Sequence, residues 1–122
     1  MSEEVEGVAK TWRRHILTMG RLVGGLRPHQ EVFLRRSPEI SLLVDSLVVA
    51  STDGGVQVSE ILNGNAPVHV DSKEKHSDTI WILSFVPIKV SPDKPVQVTL
   101  RNDSDEIIMN ASALFRGVVE ES

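Results

Sequence analysis

The chain has 122 residues, 40% hydrophobic and 25% charged, with a formal net charge of −4 and no cysteine. That is one domain's worth of ordinary globular sequence, too apolar for a disordered chain and too interrupted by charge for a membrane-spanning helix. The lack of Cys excludes disulfide frameworks, zinc fingers, iron–sulfur ligation and thiol nucleophiles.

In chain order, the stretch up to Gly25 differs from everything after it. Val5, Val8, Trp12, Ile16, Met19 and Leu22/Val23 recur every three or four positions, the spacing of one helix face. Glu3, Glu4 and Glu6 at the front and Arg21 near the end complement a helix dipole, and Gly24-Gly25 makes a stop. The pattern predicts an amphipathic helix over about residues 4–23, which with the glycine hinge forms an N-terminal arm at residues 1–25. Its acidic front and interrupted apolar run do not fit a secretory signal peptide. Val8, Trp12, Arg13, Ile16 and Met19 are the candidate contact residues of this arm. Their apolar members would bury either on a neighbouring subunit or on the chain's own β-domain.

From Leu26 onward the apolar period becomes two, in short Val- and Ile-rich runs separated by Gly, Pro, Asn and Asp. Glu31–Arg36 leads through Ser37-Pro38 into Ile40–Ser51, a long strand or a pair broken near Asp45-Ser46. Thr52-Asp53-Gly54-Gly55 turns, Val56–Leu62 alternates, and Asn63-Gly64 suits a tight turn with positive φ. Ala66–Val70 reads as a short edge strand and Asp71–Asp78 as a polar loop. Thr79–Val90 is apolar except where Pro87 removes a ladder donor, and Ser91-Pro92-Asp93-Lys94-Pro95 turns. Val96–Arg101 alternates, Asn102–Glu106 turns, and Ile107–Val119 carries the last one or two strands. About eight antiparallel strands without intervening helices predict a β-sandwich domain over residues 26–122. The predicted core is Phe33, Ile40, Leu42, Val44, Val48, Val58, Ile61, Trp81, Leu83, Phe85, Val96, Val98, Leu100, Ala113 and Phe115.

Chemistry-bearing motifs are sparse. His15, His29, His69 and His76 have no ligand spacing among themselves. His69, Asp71 and His76 flank one loop and converge only if the fold assembles them; loop histidines are more often solvated. No nucleophile elbow or phosphate-binding loop is present, and both Gly-Gly pairs read as turns. Asp103, Asp105 and Glu106 do not match a calcium loop and read as a solvated turn. The expectation is a non-enzymatic protein with no cofactor and no metal.

Charge is more informative. Residues 1–36 hold seven Lys or Arg against four Glu, a balance of +3, and the remainder holds six against thirteen, a balance of −7. The basic front suits an acidic partner or non-specific contact with nucleic acid, but suits better a solvated surface paired with the chain's own acidic part. Stacking aromatics of the kind that bind RNA are missing, and with 4% aromatics and no Tyr a lectin is weakly supported.

The β region shows Phe33 followed by Ser37-Pro38, the strand Leu42–Ala50, and Val58-Ser59-Glu60-Ile61-Leu62-Asn63-Gly64. It closes with Val96-Gln97-Val98-Thr99-Leu100-Arg101-Asn102-Asp103-Ser104 and then Ala113-Leu114-Phe115-Arg116-Gly117. From Leu26 to Val119 this order resembles small single jelly-roll proteins of bacteriophage virions. The resemblance implies a jelly-roll structural protein of the particle, of capsid, cement or vertex type, acting through contacts with like subunits as a homo-oligomer. It implies a place in the virion, assembled in the host cytoplasm. The alternative is a monomeric carbohydrate- or peptide-binding module, cytoplasmic in location.

Overall fold

Wherever branched apolar residues alternate with polar ones, the chain pairs into strands. Val96, Val98 and Leu100 are fully buried while Gln97 between them and Arg101 after them are turned outward. The computed structural model describes residues 11–22, 24–52 and 55–121, the last by its backbone alone. Nine strands lie among them: β1 (Thr11–Leu22), β2 (Glu31–Arg36), β3 (Leu42–Ser51), β4 (Val56–Asn63), β5 (Ala66–Pro67), β6 (Ser72–Ser77), β7 (Ile80–Val90), β8 (Val96–Asn102) and β9 (Ala111–Glu121). They form two antiparallel sheets, a five-stranded one in the order β1-β9-β3-β7-β6 and a four-stranded one in the order β2-β8-β4-β5.

The core between the sheets is aliphatic, with Val44, Leu47, Val90, Val96, Val98, Leu100, Ile108 and Phe115 entirely shielded. Phe115 meets Phe85 edge to face, ring centroids 6.2 Å apart. Removing the Phe115 ring would cost about 3–5 kcal/mol through lost transfer energy and an unfilled cavity.

The all-β sandwich agrees with the sequence, but the predicted helix does not. Of residues 4–23, residues 4–10 and Val23 lie outside the described residues, and Thr11–Leu22 forms β1, paired along its length with β9 from Thr11↔Glu121 to Leu22↔Ala111. The helical period misled because positions four apart share a face in a helix and in a strand alike. Trp12 and Ile16 therefore stay together on one face of β1. Met19, an odd number of residues away, goes with Leu17 into the core. A bulge follows at Met19, and Gly20 beside it adopts φ +120, a conformation closed to most side chains.

Three further expectations are corrected. The polar segment predicted as a loop over Asp71–Asp78 contains β6, an exposed edge strand whose charges discourage further pairing. In the last segment, strand structure begins only at Ala111; Ile108 before it forms an isolated bridge to Leu26. Among the predicted core residues, Phe33 and Ile40 are 62% and 41% exposed and Val48 is only partly covered, while Val58 and Trp81 are partly buried and pack against the core. Phe33 lies opposite Thr99 on the outer face of β2, whose neighbours Val32 and Leu34 pack against the core. Ile40 precedes β3. Within β3 a bulge between Val44 and Ser46 reverses the alternation, so Leu47 and Val49 point inward and Val48 outward.

A candidate interaction face on the five-stranded sheet

The outer face of the five-stranded sheet carries the residues that do not fit a simple polar exterior. β1 contributes Trp12 and Ile16, 48% and 56% exposed, with Arg14 between them. β9 contributes Val118, half-buried, with Glu120 and Arg116 to either side. β3 contributes Leu43 and, through its bulge, Asp45. Register places them in rows: Trp12 opposite Glu120; Arg14 opposite Val118, which is opposite Leu43, which is opposite Lys89; and Ile16 opposite Arg116.

Two adjoining depressions run across these rows. One, about 400 Å³, is lined by Trp12, Leu43, Val118, Lys89 and Glu120 among others. The second, about 440 Å³, is lined by Arg14, Ile16, Asp45, Ser46, Arg116 and Gly117, and shares Leu43 and Val118 with the first. Arg116 Nε donates to Ser46 Oγ at 3.0 Å, which holds the guanidinium against the sheet and satisfies the buried hydroxyl. Gly117 makes the groove floor, since a Cβ there would lie 2.0 Å from the Leu43 carbonyl oxygen. The β9 and β3 backbones thus meet closely beside the β3 bulge. The result is an apolar centre ringed by both signs of charge, a chemistry suited to a protein surface.

Of the five contact residues predicted from sequence, Trp12 and Ile16 lie on this face. Met19 is buried in the core, and Arg13 is opposite Val119, on the core side of β1. Val8 lies outside the described residues. Leu43, Val118, Arg116 and Glu120 were missed, because their common face is set by pairing between distant segments. A signal was present in the Arg116-Gly117 pair, since a glycine inside a strand marks a bulge or a close backbone approach.

The other sequence candidates are dispersed. His69 Nε2 stands 3.9 Å from Asp71 Oδ1 with both side chains largely in solvent, and His76 is on β6. No three His, Asp or Glu side chains converge on one point among the described residues. In the acidic turn, Asp103 takes hydrogen bonds from Arg101 Nε at 2.7 Å and from a terminal nitrogen at 3.3 Å, and these hold its carboxyl below the ordinary range. Trp81 is partly buried, with the Lys73 ammonium 4.7 Å above its ring; the same amine donates to Gln57. No helix among the described residues is long and apolar enough to cross a membrane.

No known protein family matches the chain, and no curated protein matches it in sequence.

Proposed function

We propose that this protein is a non-enzymatic building block of a particle, of the capsid, cement or vertex kind, and that its sandwich is a jelly roll. The strand order supports the fold. Leaving β6 aside, β1-β9-β3-β7 face β2-β8-β4-β5, and each of the first three connections passes from one sheet to the other. That is the winding of two Greek keys into paired four-stranded sheets, an architecture used by viral capsid proteins as well as lectins and cupins. The observation that carries the function is the solvent-facing pair Trp12 and Ile16 beside Leu43 and Val118. Each large apolar side chain covered by a neighbour there would contribute about 1.5–3 kcal/mol.

Co-expression with the products of the neighbouring genes, followed by sedimentation and electron microscopy, tests the reading. The expected result is stoichiometric incorporation into a particle, lost when Trp12→Ser and Ile16→Ser are combined, with thermal melting unchanged. A chain that never enters a particle, but whose binding to a glycan array depends on Trp12, would overturn it in favour of a carbohydrate-binding module. That rival gains nothing from Trp81, whose ring lies partly buried under Lys73.

A further inference from the structure

The outer face of the five-stranded sheet is complementary to itself. Its three rows are evenly ordered, with Trp12 opposite Glu120 at one side, Arg14-Val118-Leu43-Lys89 in the middle and Ile16 opposite Arg116 at the other. A two-fold axis laid along the middle row, parallel to the sheet, exchanges the two outer rows and leaves every strand above its own copy. Trp12 of one copy then covers Ile16 of the other, and Glu120 faces Arg116. Val118 and Leu43 meet their own counterparts at the centre. Arg14 and Lys89 fall at the two ends of the axial row, where solvent screens their like-charge contact.

We propose that two copies of this chain pack face to face through these sheets about that axis. The inference rests on the assembly reading and supplies its smallest contact. Charge selects the occupant. Asp45 and Glu120 interleaved with Arg14, Arg116 and Lys89 disfavour a polyanion or an anionic lipid surface, which would meet repulsion within the same groove. A second copy sets Glu120 against Arg116 in both outer rows, the reciprocal pairing that an isologous interface demands. The apolar centre with a charged rim is the arrangement of specific protein contacts, and facing sheets interdigitate at about 10 Å.

Sedimentation equilibrium of the full chain, with charge exchange, tests this. The wild type should show a concentration-dependent monomer–dimer equilibrium. Glu120→Arg should weaken it about tenfold or more by setting two cations together, and Arg116→Glu should do the same with two anions. The two substitutions combined in one chain should restore the wild-type constant to within a few fold, because the pair is re-formed across the axis with its signs reversed. Arg116 also supports Ser46, so each variant is melted first. Should Arg116→Glu fail to fold, Val118→Asp replaces it; that residue meets itself at the axis and should abolish the dimer. A wild type that stays monomeric overturns the dimer while leaving incorporation into a larger particle untouched. A wild-type dimer insensitive to the exchange, or unaffected by Val118→Asp, places the contact elsewhere and overturns this face.

Discussion

The side-chain amide of Asn102 donates to the backbone carbonyl of Leu26, 76 residues earlier in the chain, at 2.8 Å. It donates also to the Glu106 carbonyl at 2.7 Å, while its oxygen accepts from the Ser104 amide and hydroxyl. Backbone bonds from His29 to Asn102 and from Asn102 to Gln30 complete the staple. One fully buried residue thus ties the crossover after β1 to the turn after β8.

Asn102→Ala should destabilise by about 2–4 kcal/mol in urea unfolding, since it strands several buried partners at once. Asn102→Asp should cost a similar amount, because a carboxylate accepts but does not donate. Hydrogen exchange at the Leu26 and Ile108 amides, which bond each other's carbonyls, should quicken in both variants. Unchanged protection there would refute the staple.

Among the described glycines, Gly117 should be the least tolerant of an added methyl in Gly117→Ala. Its Cβ would overlap the Leu43 carbonyl oxygen and approach the Val44 Cα at 2.8 Å, both backbone atoms that cannot rotate away. A loss of about 3 kcal/mol or outright misfolding is expected by circular dichroism melting. A variant as stable as wild type would mean that β9 and β3 are not so closely apposed.

Thr99→Val tests a buried hydroxyl. Thr99 is 3% exposed on the outer side of β8, and its Oγ1 has no hydrogen-bond partner. Replacing it with an apolar group of the same shape should be neutral or raise stability by about 1 kcal/mol, whereas a satisfied hydroxyl would make the change destabilising. Chemical denaturation at a single pH separates the two signs.

The Arg101–Asp103 pair predicts a pH dependence. The guanidinium's hydrogen bonds lower the Asp103 carboxyl pKa in the folded state, so the unfolded chain binds its proton more readily. The contribution is therefore present above about pH 5 and fades as acid protonates Asp103 below its ordinary range. Both groups are solvent-exposed, so the effect is small. In Arg101→Gln the Asp103 midpoint measured by NMR should rise, and the stability gap from wild type should close as the pH falls. An Asp103 midpoint unmoved by the substitution would contradict the pairing.

Local pattern alone determined the β class, the turns at Asn63-Gly64 and Ser91–Pro95, and the inward residues of β8, because strand alternation and turn chemistry act between near neighbours. It also brought Trp12 and Ile16 into view together, since their spacing shares a face in either regular structure. Whether Thr11–Leu22 would be helix or strand was decided by a partner about a hundred residues away, in the ladder that β9 supplies. Bulges in β3 and β1 each shifted the alternation by one residue, which in β3 sent Leu47 rather than Val48 into the core and raised Asp45 to the surface. The face that joins Trp12, Val118 and Leu43 comes from three distant segments, so only their pairing makes it one surface. Hydrogen-bonded ladders join residues without regard to their separation in sequence, and a one-residue slip exchanges the two faces of a strand. A local period carries neither piece of information.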